Sequence, residues 1–576
     1  MNNVKFMRIL AYFKPYIPHV FLCMILALLI NGAELANPYI MKIAIDEYII
    51  GGNTSISIVY LGLLYIAAVL GGAVFNYVQV LVLSNIVQRI MHNIRMELFA
   101  HIQNLPLSFF DKNSSGRVMT RVANDVEALN EMYSGVLIAL FKDVFMLIGI
   151  IVVMLQMNLK LALVSFVVVP IIMSVTYIYN KKARKVYKSI RHLISSINSF
   201  FAENISGMKL VQIFNREKEK FKEFDSLNTE YNKASMMELI LMALFKPAAE
   251  LINSLAISIL IWYCLPGIFD NTIEIGVLFA FITYIKKFFG PINDLADKYN
   301  VILSGSVSAE RIFELMDTNE GLEDLDKGIS ISNFKGEIEF KNVWFAYDDK
   351  GWVLKDVSFK INPGETAAFV GATGSGKSTI INLIGRFYEI QKGEILLDGI
   401  NIKDIKLGDL RRCIAVVMQD VFLFSGDIQS NIRLNNDNIK MEDVEKASQY
   451  VNADEFIKSL PGGYFEEVKE RGCTLSSGQR QLLSFARAIA FKPSILVLDE
   501  ATANIDTETE KIIQDTLGRI SKDRTTLVIA HRLSTIKDAD KIIVIHKGRI
   551  REMGRHTELL KNGGIYRNLY DMQYAH

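Results

Sequence analysis

The residues with the clearest chemical purpose are Gly371-Ala372-Thr373-Gly374-Ser375-Gly376-Lys377-Ser378-Thr379. They follow an apolar, strand-like run from Thr366 to Val370 and lead into a helix-like one from Ile380 to Phe387. Glycines at such a turn let backbone N–H groups converge on phosphate oxygens, aided by the positive end of the next helix. Lys377 is expected to hold the β and γ phosphates of a nucleotide as a mobile point charge. Ser378 is expected to offer its hydroxyl to Mg²⁺, and Gly371, Thr373, Gly374, Ser375, Gly376 and Thr379 to complete the cradle.

A second pattern fits the first. Ile495-Leu496-Val497-Leu498-Asp499-Glu500 reads as a buried strand ending in two carboxylates. At the end of a central strand beside a phosphate loop, Asp499 can reach the Mg²⁺ shell. Glu500 can accept a proton from an attacking water, a role worth about 10² to 10⁴ in rate.

Leu475-Ser476-Ser477-Gly478-Gln479, upstream of that strand, resembles the signature motif of ATP-binding cassette proteins. With the phosphate loop, Gln419, Asp499, Glu500, Asp506 and His531, the order and spacing resemble that family across the second half. The resemblance implies ATP and Mg²⁺ as ligands, with Ser378, Gln419 and Asp499 at the metal. It implies that Tyr347 stacks on adenine, with Trp344 and Phe345 as fallbacks, and that His531 holds the γ phosphate and attacking water. Leu475 to Gln479 would meet a partner's nucleotide, and Glu470-Arg471-Gly472 a partner's coupling tip. The loop Ala503-Asn504-Ile505-Asp506 would cross the dimer interface, with Asp506 as its marker.

The elements that must position these residues follow from periodicity. Strand-like runs at Ile338 to Phe345, Val357 to Ile361 and Thr366 to Val370, then alternating helix and strand signals, predict an α/β P-loop ATPase domain over 337–576. A polar, acidic stretch at 317–336 reads as a linker.

The first half, 1–316, is different in kind. Apolar runs at about 17–38, 56–82, 133–156, 161–180, 244–266 and 273–296 predict six membrane spans, each near the ~20 residues a bilayer needs. The first is too long for a signal sequence and reads as a retained helix. Segments 1–16, 84–131 and 181–243 carry 20 Lys and Arg, against 2 in 39–57, 157–160 and 267–274. The basic side is cytoplasmic, so both termini and the ATPase domain are expected there, in a multi-pass protein of the cell membrane.

Spans 2 to 5 should continue as helices beyond the lipid. Ile94, Leu98, Ile102 and Leu105 recur at helical spacing up to Pro106, as do apolar residues around Phe201, Ile205 and Val211. Their far tips are expected as short turns at Asp111 to Arg117 and Glu203 to Gln212, either plain loops or docking pieces. Within the spans, Lys246 and Glu250 are spaced to pair with each other. Glu34 has no such local partner and is the candidate, with Asn31 and Glu250, for lining a cation-attracting substrate cavity.

Composition excludes some classes. With 63 Lys+Arg against 62 Asp+Glu the net charge is +1, so no nucleic-acid partner is indicated. Four scattered cysteines without a C-x-x-C pair are expected to be free thiols. Six spans before a cassette resemble exporter-type half-transporters, whose two cassettes sandwich each nucleotide between one phosphate loop and the other's signature. Such a chain needs a second half-transporter subunit.

Ser477 stands where that family's signature usually has Gly. This is the pattern of the catalytically complete subunit of a heterodimer, or a tolerated variation in a homodimer. The transport reading is ATP-driven export of hydrophobic or amphipathic drugs, lipids or peptides. Import through an exporter-shaped machine, and an ATP-gated channel or regulator, are the alternatives.

Overall fold

The computed structural model of the chain describes residues 8–9, 11–51, 57–270, 272–318, 327–348, 351–499, 507–521, 524–529 and 536–574. Two compact units emerge. One comprises Met1–Gln103 with Ser115–Thr318, the other Asn104–Ser114 with Asn319–His576.

The first unit is helical. Among the described residues, six helical stretches are long and apolar enough to cross a bilayer: Lys14–Ile50, Ile58–Asn104, Ser115–Met157, Leu159–Ser206, Glu217–Phe269 and Ile275–Ile292. The helices used below are α1 (Ile17–Ile43), α2 (Ser57–Asn104), α3 (Leu107–Lys112), α4 (Ile138–Met157), α5 (Val169–Ser206), α6 (Met208–Ile213), α7 (Glu217–Phe269) and α8 (Ile275–Met316).

The 53 residues of α7 span about 80 Å at 1.5 Å per residue, far beyond a ~30 Å hydrocarbon core. Helical extensions outside the lipid therefore follow from length alone. The fourth span is broken between Phe166 and Val169, where Pro170 occupies the first turn of α5 and can donate no N–H to a continuing helix.

Met146, Ile150 and Met154 of α4 pack with Ala256 and Leu260 of α7 and Phe281 and Tyr284 of α8. The Tyr284 hydroxyl, buried among them, donates to the Leu35 carbonyl at 2.7 Å. By contrast, none of the most apolar window of α2 is buried. Its Tyr60, Leu63 and Leu70 point outward, as residues facing lipid do.

Two expectations about these helices need correction, the open tips and the Lys246–Glu250 pair, whereas the helical continuation beyond the spans is as expected. The tips are helical rather than open turns: α3 ends at Lys112 and the next helix, Ser115–Thr120, starts three residues later, while Gly207 alone separates α5 from α6. The apolar residues near the second tip are exposed, Ile205 by 67%, Leu210 by 62% and Phe214 by 67%. Their helical spacing does not bury a face within this chain. Finally, Lys246 and Glu250 are both exposed and form no ion pair, while Glu34 is engaged by Lys142 of α4 with Nζ–Oε1 at 3.2 Å. Tertiary packing of α1 against α4 supplied the partner that local spacing could not show.

The second unit is α/β. A four-stranded sheet runs β2-β1-β4-β5, with β1 Ile338–Phe345, β2 Leu354–Ile361, β4 Lys392–Leu397 and β5 Ile400–Asn401. A six-stranded sheet runs β10-β9-β3-β8-β7-β6, from Arg549–Gly554, Lys541–His546, Thr366–Val370, Thr525–Ile529, Ile495–Asp499 and Ile414–Val417 respectively. Strands β9, β3, β8, β7 and β6 pair in parallel. They are continuous apolar runs because helices cover both faces of such a sheet, and Ile495, Leu496, Val497 and Leu498 are all buried. In register, Ile529 of β8 sits between Phe369 of β3 and Asp499 of β7, so the carboxyl ends of three neighbouring strands align. Ligands of open parallel sheets bind at such ends.

Candidate nucleotide site

From the end of β3 the chain turns through the glycine-rich loop into α9 (Lys377–Ile384). Gly376 caps that helix at φ 108°, a left-handed conformation costly for other residues, and a Cβ there would lie 2.7 Å from Leu354 Cδ2. At Gly371 a Cβ would meet the Ile545 carbonyl oxygen at 2.2 Å. Side chains are thus excluded where the loop must pass closest to its neighbours.

Lys377 is buried in this loop, its Nζ donating to the carbonyls of Gly371 at 2.7 Å and Ala372 at 3.1 Å. Ser375 Oγ is buried without a hydrogen-bond partner. A buried hydroxyl, an ammonium and an α-helix N-terminus around a glycine cradle are the donor set that fits a phosphate chain. Thr373, Gly374 and Ser378 are exposed, with Ser378 open to a metal ion, while Thr379 is turned inward.

Thr379 Oγ1 lies 3.1 Å from the Tyr347 hydroxyl. Tyr347 follows β1, is 44% exposed, and packs edge-on to Phe345 and Tyr388 with ring centroids 4.8 and 5.0 Å away. An exposed aromatic tied to the phosphate-loop helix is placed to stack on a base. Of the fallbacks, Phe345 is buried and Trp344 is half-buried, edge-on to Trp352 with ring centroids 5.4 Å apart.

Asp499 ends β7, half-buried beside β8, and Gln419 is exposed just after β6. Glu500, Asp506 and His531, with the rest of 500–506 and 530–535, lie outside the described residues.

The signature residues start α10 (Ser477–Ala490). Ser476 is its N-cap: Oγ accepts from the Gln479 N–H at 3.2 Å while Gln479 Oε1 accepts from the Ser476 N–H at 2.9 Å, a reciprocal capping box. Because Ser476 Oγ is the acceptor, its own hydroxyl proton remains available at an exposed position. Leu475 and Gly478 are buried and anchor the motif, whereas Ser477 and Gln479 are half-buried.

Three residues escaped the sequence reading. Asn431 is 2% exposed, accepts from Phe424 N–H at 2.8 Å and donates to the Phe424 carbonyl at 2.8 Å. Arg487 of α10 donates to the Asn431 carbonyl at 2.9 Å and to that of Phe422 at 3.1 Å. The segment after Gln419 is thereby pinned to the signature helix. Tyr388 donates its hydroxyl to Asp111 on α3, within the second unit. No spacing rule announces Arg487 or Tyr388, whose partners are 56 to 277 positions away, and Asn431 bonds across a local turn that carries no motif.

Fold and site define a membrane-spanning ATPase subunit: six apolar helical spans joined to a P-loop domain with a capped signature helix. Residues 20–292 match the ABC transporter transmembrane region, and residues 354–503 match the ABC transporter family. The chain is 41% identical over 576 residues to the ABC transporter ATP-binding protein YknV of Bacillus subtilis (strain 168), covering 100% of this chain and 95% of that one. It is 34% identical over 570 residues to an ATP-dependent lipid A-core flippase of Syntrophus aciditrophicus (strain SB), covering 99% and 94%. The solved structure of a bacterial Atm1-family ABC exporter with ATP bound aligns with TM-score 0.80 and 28% identity, over 96% of this chain and 98% of that one. The chain belongs to the ABC transporter family and carries the exporter fold with its ATPase domain.

Proposed function

We propose that the protein hydrolyses ATP to export hydrophobic or amphipathic molecules across the cytoplasmic membrane by alternating access, as one half of a two-cassette pump. The observation that carries this reading is the pair of complementary surfaces on one chain. Lys377 and Ser375 form a phosphate cradle, and the Ser476 cap presents a hydroxyl from a different helix terminus. In the family the second surface serves a partner's nucleotide, so ATP favours closure and hydrolysis allows opening. The exposed apolar tip around Ile213 and Phe214 suits a surface that a partner covers.

Lys377 binds the β and γ phosphates, Tyr347 stacks on adenine, and Ser476 with the Gly478 backbone contacts the partner's γ phosphate. Ser378, Gln419 and Asp499 hold Mg²⁺, which offsets charge on the phosphates when bound. Glu500 accepts the proton of the attacking water, His531 orients that water, and Asp506 lies in the interface loop. The excess of Lys and Arg in the connections 1–16, 84–131 and 181–243 supports a cytoplasmic location for both termini and the ATPase domain.

Ser477 in place of the family's usual Gly, with Lys377, Asp499, Glu500 and His531 intact, favours the catalytically complete subunit of a heterodimer over a homodimer. ATPase activity of the purified chain, read together with its molar mass, tests the arrangement. An active dimer silenced by Glu500→Gln supports a homodimer. An inactive monomer restored by a second cassette chain supports the heterodimer. Turnover by a monomer needing no partner overturns the two-cassette reading.

A further inference from the structure

Three helices of the first unit meet around a charged cluster that the ATPase site does not use. Lys142 of α4 reaches Glu34 of α1 with Nζ–Oε1 at 3.2 Å. Lys287 of α8 donates instead to the Glu34 main-chain carbonyl at 2.8 Å. Asn31 of α1 donates to the Lys142 carbonyl at 2.8 Å, is 3% exposed, and keeps its Oδ1 without a partner.

The cluster is not neutral. Two ammonium groups face one carboxylate, and that carboxylate is taken by Lys142, whereas Lys287 meets only a neutral carbonyl oxygen. Lys298 and Asp143, further along α8 and at α4, pair with each other and leave the balance unchanged.

Lys287 lies within the apolar stretch Ile275–Ile292, about 18 Å along α8 from Ile275 at 1.5 Å per residue. At that depth a charge turned to lipid is costly, so such groups face a bundle interior or a polar cavity. The side chains of Lys142 and Glu34 remain 30% and 40% exposed, so the cluster is open on one side rather than sealed in a core.

We infer that this cluster binds the acidic group, a phosphate or carboxylate, of an amphipathic substrate whose apolar part lies on the neighbouring apolar surface. This rests on the transport reading above and names its substrate class. An ammonium carries three donors and Lys287 spends one on the Glu34 carbonyl, so two remain for an anion. Asn31 Oδ1 can accept from a hydroxyl or amide on the same headgroup. Glu34 is a positioning residue that fixes both lysines. On this reading Glu34 holds the lysines in place of attracting a cationic substrate itself.

The test uses the full chain in phosphatidylcholine nanodiscs, in the assembly that the molar mass defines. Two fluorescent probes with the same twelve-carbon tail, one an alkyl phosphate and one a trimethylammonium, are titrated by anisotropy. The phosphate probe is expected to bind more tightly. Lys287→Gln and Lys142→Gln are each expected to weaken it by about tenfold, the loss of one charge-assisted hydrogen bond, and Lys287→Arg to restore it. Equal affinity for the two probes, or indifference to both glutamine variants, overturns the site. Competition by phosphatidylglycerol identifies a lipid headgroup as the source of the acidic group, and competition by free alkyl phosphate alone a soluble amphiphile. Charge-selective binding without ATP-dependent movement of either probe in proteoliposomes would reject export and keep the site. Movement of both probes without charge preference would do the reverse.

Discussion

The Tyr388 hydroxyl donates to the Asp111 carboxylate across 277 positions of sequence, joining tip helix α3 to the ATPase fold. The Tyr388 ring in turn meets Tyr347 edge-on at 89°, and the Tyr347 hydroxyl meets Thr379 at the start of the phosphate-loop helix. Three side-chain contacts therefore connect the tip that carries Asp111 with the cradle. Burial, and then the Asp111 carboxylate, hold the Tyr388 phenol above its ordinary range, so it stays a donor at neutral pH.

Tyr388→Phe removes this hydrogen bond and keeps the ring packing. Substrate stimulation of ATPase is expected to fall while nucleotide affinity stays near that of the wild type, because the bond, worth about 1.5 to 3 kcal/mol to a charged acceptor, is made to the tip and not to the nucleotide. Comparing basal and substrate-stimulated rates with nucleotide titrations checks it. Intact stimulation would show that the contact carries no coupling.

Asn431→Ala deletes the partner of both main-chain groups of Phe424 and of the Asp427 carbonyl. Stranding buried backbone groups costs about 1 to 3 kcal/mol. The ATPase domain should melt several degrees lower, at about 2 to 4 °C per kcal/mol for a domain of this size. An unchanged calorimetric midpoint would refute the pin between the Gln419 segment and α10.

Among the four cysteines, Cys23, Cys264 and Cys413 are buried and Cys473 is exposed. Burial, and next the Asp398 carboxylate, push the Cys413 thiol up to about 12, so little thiolate exists there at neutral pH. Brief maleimide treatment of the native protein is expected to modify Cys473 and to reach Cys413 only after unfolding. Peptide mass mapping decides, and early modification of Cys413 would contradict its burial.

Lys377→Ala removes the ammonium that the Gly371 and Ala372 carbonyls hold in the cradle. Losing a charge-assisted contact should weaken nucleotide binding by about tenfold or more. A fluorescent ATP analogue measures this directly, and unchanged affinity would remove Lys377 from its assigned place.

Much of this was legible in the sequence because some constraints are local. The phosphate loop needs glycines at fixed positions, buried parallel strands need unbroken apolar runs, and spans need length. What was missed depends on long-range packing. Glu34 looked solitary because its cation stands on another helix, and Lys246 and Glu250 looked paired because spacing permits a contact that the side chains do not make. At the tips, Asn113-Ser114-Ser115-Gly116 and Ser206-Gly207 have the composition of turns. In the fold these residues break helices for one or two positions only.

The central claim is directional, ATP-driven transport, and inside-out membrane vesicles test it most directly. A fluorescent amphiphile should accumulate in vesicles carrying the wild-type assembly when ATP is added. It should not accumulate with Glu500→Gln, which keeps the nucleotide but loses about 10² to 10⁴ in turnover. ATP-driven loss of the probe from those vesicles, or accumulation that Glu500→Gln leaves intact, would contradict the account.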